Sequence, residues 1–528
     1  MEPRQSAPRL AVRLGRRWWA IAVALVFGYG FPHFPSIRSA NELPRVYLVM
    51  AMADHGTFAI DRGVRRWGGT ADVSPAGGHQ YSNKAPGSSM LAVPAYVALR
   101  GVTQAVAGRE PTLGEMVWTF RIWTGVVPTL LFLALLWGFL GRFTPDEGAR
   151  RAAIAIYGLG SMAIVYSVLF ISHQLSAVCV GAAWIITVRV IEDGAPAATG
   201  ARSGRWMLAA GALAGAAPLV DYQAVFAAVP VALWATIRLI QSRRGAAPFL
   251  WAAVGAALPI AVLLVYHDAC FGSPLRTGYA ASEVFAHNHQ RGFLGMDQLR
   301  WAAFTGSTVA PDNGLIVFCP ALLLALPGWF LMWRRGQRDH VLVTAAVAVI
   351  YLLFISSINF WRGGWQLGPR YITAMLPFLL PPITVTLAAV GRWPALRGAA
   401  LGLGGVGVFV YAASIVAFPH FPEKFTNPLY EVTLRLFGDG LAAPNLGMIA
   451  GLPGAWSLVP YAVLVGTVWA AVLLGPRGPW RPRLLAAGVA IAVTAAIVVA
   501  YGGFRGGGPI ADEAYVHTVA PAVRSQMR

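Results

Sequence analysis

Apolar stretches of about twenty residues, the length that crosses a bilayer, recur thirteen times along this chain. They begin near residues 18, 114, 151, 171, 206, 222, 248, 314, 340, 371, 398, 456 and 484. In lipid each segment has to satisfy its own backbone donors and acceptors, so runs of this length fold as helices. Composition excludes the soluble alternative. Apolar residues make up 57% of the 528 and charged residues 12%, against a charged share of about 25% in soluble domains. The chain reads as an all-α polytopic membrane protein.

Charge predicts how it is threaded. Arg9, Arg13, Arg16 and Arg17 precede the apolar run from Trp18 to Phe31, and no small-x-small cleavage site follows. That pattern reads as an uncleaved first span with residues 1–17 in the cytoplasm. A fourteenth apolar run, Gly87 to Ala107, follows Pro86 and contains Pro94 and Arg100. If it does not cross, six short arginine-bearing loops fall on the cytoplasmic side: Arg142/Arg150/Arg151, Arg189/Arg202/Arg205, Arg243/Arg244, Arg334/Arg335/Arg338, Arg392/Arg397 and Arg477/Arg481/Arg483. If it crosses, all six move outside, against the positive-inside rule. The run is therefore expected to lie at, or dip into, the outer interface.

The outer face then holds 36–113, 268–313, 359–370, 418–455 and the tail after 503. Most acids sit there, Glu42, Asp54, Asp61, Asp72, Asp221, Asp268, Glu283, Asp297 and Asp312 among them. Chemistry is expected on that face. The expected division is a main membrane module over 18–417, including the first outer loop, and a second part over 418–528 with the last outer loop, two spans and the tail. The net charge of +19 is spread thinly between spans, which reads as topology and not as nucleic-acid binding. Phosphate-binding loops and dinucleotide glycine patterns are absent from the sequence. Cys179, Cys270 and Cys319 are too few and too far apart for a disulfide framework or zinc site, and read as packing residues. Of 41 basic residues only Lys84 and Lys424 are lysine.

In the first outer loop, Leu43, Val46, Tyr47, Val49 and Met50 recur at helical spacing, predicting an amphipathic interfacial helix that ends near Asp54, His55 and Gly56. Pro44 belongs in a first turn, which favours Asn41 as N-cap. Glu42 has two readings: a capping carboxylate, for which Ser39 and Glu42 supply the spacing, or a general base above the membrane. Lys84, in Tyr81-Ser82-Asn83-Lys84-Ala85-Pro86, stands just before a helix. There it makes an anion site with free backbone N–H groups, or it snorkels to the interface.

This loop resembles the first extracytoplasmic loop of polyprenyl-phosphate-sugar-dependent glycosyltransferases of the GT-C class, notably the bacterial aminoarabinose-lipid A transferases and the protein O-mannosyltransferases. Glu42-Leu43-Pro44-Arg45 matches the acid-to-arginine spacing, Met52 to Gly56 the helix end, and Tyr81 to Pro86 the Tyr-x-x-Lys motif. The match departs where the family has a catalytic aspartate; here stands Glu42, or Asn41 if the register slips by one. The family's second acid falls near Ser172-His173-Gln174, where His173 stands in.

The resemblance implies a GT-C-like bundle of about thirteen transmembrane helices with interfacial helices in the first outer loop. It further implies a bacterial inner-membrane protein and a polyprenyl-phosphate-linked sugar donor. The acceptor would be a lipid, glycan or protein. A sugar would move to the acceptor hydroxyl on the extracytoplasmic face with inversion. Glu42, Asp54 and His173 are the implied catalytic candidates, and Arg45, Tyr81 and Arg121 are expected to bind substrate.

Two later segments, Tyr266 to Tyr279 and Asn359 to Tyr371, join aromatics, glycines and arginines at the outer surface. Arg276, Arg362 and Arg370 suit a lipid phosphate. Tyr279, Trp361, Trp365 and Tyr371 suit a sugar or prenyl chain. An aromatic belt with snorkelling arginines is the plainer reading. Arg121, inside the second span, requires a partner or water; Asp221 and His173 are site candidates on the same grounds. His287, Asn288 and His289 are a weak signal for a divalent metal.

A lipid-phosphate leaving group needs no general acid, only a base for the acceptor and cations for the phosphate. Glu42 would be the base, and Lys84 with Arg370 or Arg276 the cations. Rival readings are a transporter or flippase of lipid-linked substrates, a ligase moving whole glycans, and an inactive scaffold. No convincing internal repeat supports a transporter, and the acids cluster outside rather than at the midplane.

Overall fold

The computed structural model describes residues 8–34, 37, 39, 41–192, 201–242, 245–475 and 479–527. The side chains of 8–17 and 201–202 lie outside the described set, as do Arg243, Arg244 and Arg477 of the charge argument.

The outer loop begins after α1 (Pro8–Tyr29) and contains α2 (Leu43–His55), α3 (Asp61–Trp67), an antiparallel hairpin of β1 (Val73–Ala76) and β2 (His79–Ser82), and α4 (Gly87–Ala107). The spans continue with α5 (Leu113–Leu140), the broken pair α6 (Glu147–Leu159) and α7 (Met162–Ser167), α8 (His173–Glu192), α9 (Ala201–Val220), α10 (Tyr222–Gln241) and α11 (Ala247–Phe271). Then come α12 (Ala325–Arg334), α13 (Arg338–Ser357), α14 (Arg370–Val390), α15 (Pro394–Ile415), α16 (Gly454–Leu474) and α17 (Trp480–Phe504).

All thirteen apolar runs are thus helical. Among the described residues ten helices are long and apolar enough to cross a membrane. Nine belong to the thirteen runs and the tenth is α4. The runs near 18, 151, 206 and 314 fall short of that standard: that near 151 breaks between α6 and α7, and that near 314 is divided by short turns before α12.

α4 meets the length of a span, yet it lies beside α2 in the same sense. Ser89 Oγ donates to the Arg45 carbonyl at 3.1 Å near one end, and Tyr96 donates to Asp54 at 2.7 Å near the other. The chain between α2 and α4 holds only α3 and the hairpin, so the two start from a common level. Both first turns of α2, Leu43 to Val49, are buried. The expected amphipathic helix is therefore enclosed, and its one charged position there, Arg45, points inward. The hairpin was unexpected in a loop read from its Gly, Ser and Pro content.

Helices of the bundle divide by burial. Most of the apolar stretch of α8, α14 and α15 is buried, 83%, 89% and 78%, whereas only 17% is buried in α11 and 22% in α17. Lipid gives no hydrophobic drive between helices, so close backbone approach does the work. At Gly211 of α9, an added Cβ would stand 1.9 Å from the Ala252 carbonyl oxygen of α11; at Gly215 it would stand 2.6 Å from that of Ala256. Gly211→Val should force these helices apart and cost about 1–3 kcal/mol, read as a lowered Tm of the detergent-solubilised protein, while Leu258→Val on the exposed face of α11 should leave Tm unchanged.

Candidate active site

The loop after α1 and the turn between α7 and α8 meet at the start of α2. There Glu42, 1% exposed, accepts two hydrogen bonds from Arg121 of α5: Nε to Oε1 and Nη2 to Oε2, each 2.8 Å. Oε1 also accepts the Phe170 amide at 2.6 Å. Arg121 stands directly before a widened helical turn, Ile122–Val126, in which Gly125 lies against the Ser167 carbonyl. Such turns re-aim side chains. The Arg121 guanidinium also donates to the Pro32 carbonyl.

The helix begins at Leu43, with Glu42 and not Asn41 in the capping position, and no side chain caps it. The capping reading is thus replaced by an ion pair. Burial pushes the Glu42 carboxyl up, but Arg121 and the Phe170 amide override it and hold the group at about 2. Both oxygens are engaged, and Glu42 is not part of the cavity wall that Asn41 lines. These surroundings fit a fixed anion better than the expected proton acceptor.

Arg45, one turn into α2, donates to the Asn41 carbonyl at 2.5 Å and to Ser172 Oγ at 2.7 Å. His173 Nδ1 lies 2.6 Å from Asp221 Oδ2, with both groups buried. The His173 ring meets Tyr166 and Tyr371 edge-on. Arg45, Ser172, His173, Asp221 and Tyr166 stand behind the wall of a cavity of about 560 Å³ that Asn41 and Tyr371 line.

The inner cavity wall carries Asp72, Lys84, Tyr279, Arg370 and Tyr371. The hairpin delivers Lys84: Asn83 donates its backbone N–H to the Asp72 carbonyl and its side chain to Asp72 Oδ1, at 3.3 and 3.2 Å. Gly278 packs so tightly on Asn83 that a Cβ would stand 2.6 Å from the Asn83 Cα. Lys84 Nζ pairs with Asp72 at 2.8 Å, and both side chains are buried. The ammonium lies 4.9 Å from the Tyr279 ring centroid, a cation–π contact. Burial, with Arg45 and Arg370 nearby, lowers Lys84 to about 8 against the pull of Asp72.

Arg370 is 7% exposed, and among the described residues no carboxylate lies within ion-pairing distance of it. Its Nε has no hydrogen-bond partner there. A buried guanidinium without a counter-anion is costly. It is aimed at a cavity that already holds an ammonium.

Lys84, Tyr279, Trp365, Arg370 and Tyr371 are therefore brought together as expected, with Arg45, Arg121 and His173 behind them. Four other expected residues lie elsewhere. Asp54 sits in a separate hollow, held by Arg100 at 2.8 Å and by Tyr96. Tyr81 packs edge-on against Phe271 and off the wall. Arg276 is exposed and off the wall. Arg362 pairs with Asp312. No group of three or more His, Cys, Asp or Glu residues able to hold a metal occurs among the described residues. His289 instead stacks on Tyr279 at 4.4 Å.

Sequence reasoning missed Asp72, His420, Phe285 and Phe360 on this wall. It flagged Lys424 only as a rare lysine; both lysines of the chain line the same cavity.

The fold is similar to that of ArnT from Cupriavidus metallidurans in its crystal structure bound to undecaprenyl phosphate. The TM-score is 0.52 at 14% identity, over 94% of this chain and 78% of that one. The oligosaccharyltransferase of Archaeoglobus fulgidus in the apo form aligns at a TM-score of 0.42 and 12% identity, over 80% of this chain and 57% of that one. No protein-family model matches the sequence, and no curated protein matches it. The chain thus has the fold of the GT-C class of membrane proteins.

Glu42→Gln leaves Arg121 buried without its anion and should cost about 3–5 kcal/mol, seen as a lowered Tm. The pair stabilises above the ordinary carboxylate range, and its contribution is lost as pH falls toward about 2. Replacing both partners with Met should recover much of the loss.

Proposed function

We propose that this protein is a membrane glycosyltransferase that moves a sugar from a polyprenyl-phosphate donor to an acceptor hydroxyl on the extracytoplasmic face. The observation that carries the reading is Arg370: a buried guanidinium that has no carboxylate partner among the described residues and lines the same cavity as Lys84. An anion completes that pair, and a guanidinium fork suits phosphate oxygens. The similarly folded ArnT was crystallised with undecaprenyl phosphate, which supplies such an anion.

On this reading the donor phosphate sits between Lys84 and Arg370. Tyr279, Trp365 and Tyr371 flank the sugar. Arg45, with Asn41 and Ser172 as its partners, adds positive charge from behind. As the bond from anomeric carbon to phosphate oxygen breaks, the phosphate gains a unit of negative charge. Fixed, buried cations stabilise that change without reorganising. The acceptor attacks from the opposite side, giving inversion.

The test is transfer from a radiolabelled polyprenyl-phosphate-sugar pool in membranes. Wild type should transfer label, and Arg370→Ala and Lys84→Ala, expressed at equal levels, should each lose about 100-fold or more. Unchanged rates in both variants would put the phosphate elsewhere.

Lys84 adds a pH signature. Its cation is present below about 8 and lost as pH rises through that value; a bound phosphate moves the loss somewhat higher. Affinity for undecaprenyl phosphate should therefore weaken between about pH 8 and about 10 in wild type and stay flatter in Lys84→Arg, which keeps its charge there.

A further inference from the structure

The pentapeptide Phe-Pro-His-Phe-Pro occurs twice, at 31–35 and at 418–422. The first copy, whose Pro35 lies outside the described residues, follows α1; the second follows α15. The fold brings the two together. The Phe34 and Phe418 rings lie 5.0 Å apart, and Phe34 meets His420 edge-on at 6.5 Å. Phe418 meets His420 edge-on at 6.1 Å. The copies bracket the Glu42–Arg121 pair: Arg121 donates to the Pro32 carbonyl, and both histidines feel the charges of Glu42 and Arg121.

His420 alone of the two lines the cavity. It is 9% exposed, and its ring is held by phenylalanines. Among the described residues neither ring nitrogen has a hydrogen-bond partner, and the residue lines the cavity. The nearby acids have cations beside them. Asp72 is paired with Lys84 and Asn83. Glu42 is locked on Arg121, and Glu423 lies near Arg362 on the rim. His289 lies against Tyr279, where its protonation would place a second cation beside Lys84. A protonated His420 has the Glu42 carboxylate close by to balance it.

We infer that His420 is the general base of the transfer, taking the proton of the acceptor hydroxyl while the fixed Glu42 carboxylate behind it stabilises the imidazolium. The inference rests on the transferase reading. In the step, the acceptor oxygen forms a bond to the anomeric carbon. The bond from that carbon to the phosphate oxygen breaks, and its electron pair leaves with the polyprenyl phosphate. The proton passes to a ring nitrogen of His420 and then to water.

Burial, together with Arg121, Arg370 and His33, lowers His420 to about 4, against the pull of Glu42. It is neutral and ready to accept at ordinary pH. Donor phosphate offsets Arg370 and raises His420 toward the working range of a base. Activity requires neutral His420, so kcat should fall as pH drops through its value in the loaded enzyme.

The experiment measures transfer kinetics of the full-length protein in membranes against pH, using the radiolabelled donor pool, and binding of undecaprenyl phosphate separately. His420→Gln should lower kcat by about 100-fold or more, abolish the acidic limb, and leave undecaprenyl phosphate binding within about twofold. His420→Ala should be partly rescued by added imidazole, a response that a packing role would not give. Near-normal kcat in His420→Gln, or loss of the acidic limb in His289→Gln instead, overturns the assignment and leaves the transferase reading standing. If wild type transfers no label but binds undecaprenyl phosphate, the transferase reading fails, and the assignment with it.

Discussion

The contact between Glu42 and Arg121 sets the geometry of everything around it. An arginine inside an apolar helix is tolerable only with a fixed anion. A carboxylate at 1% exposure is tolerable only with a fixed cation. Meeting both conditions ties α2 to α5. Through the Phe170 amide and the Pro32 carbonyl, the same contact ties in the α7–α8 turn and the end of α1. Asn41, Arg45 and the cavity wall inherit their positions from it.

Above that pair the charges are deliberately unequal. Lys84 has Asp72, but Arg370 has no acid among the described residues, and Arg45 makes its bonds to an amide, a carbonyl and a hydroxyl. The cavity wall therefore carries buried positive charge that the acids among the described residues do not fully balance. An anion would bring the local charge closer to balance, which is the physical ground for the proposed phosphate site.

Much of this was legible because it is local. A run of twenty apolar residues forms a helix whatever surrounds it, so all thirteen runs are helical. Lys84 and Arg370 could be picked out because each stands where a loop meets a helix. The failures are long-range. Asp54 looked like part of an acidic site, but its partner, Arg100, lies on α4. The spacing around Glu42 fitted a cap equally well, and only the approach of α5 decides otherwise. The hairpin over 73–82 is held by Gly278 and Ser282, residues no local pattern connects to it. The repeated pentapeptide was readable as letters, but its meaning lies in a contact between the segments that follow α1 and α15.

That the cavity wall is assembled from Asn41, Lys84, Tyr279, Arg370, His420 and, at its rim, Thr518 also bears on its history in the cell. Chains emerge from the ribosome N-terminus first. Arg121 and Glu42 can find each other early, while Lys84 waits through most of synthesis for the residues opposite it. A half-made chain thus owns a secured frame while the wall of the cavity is still incomplete, and the wall is finished only when the segment carrying Thr518 has arrived.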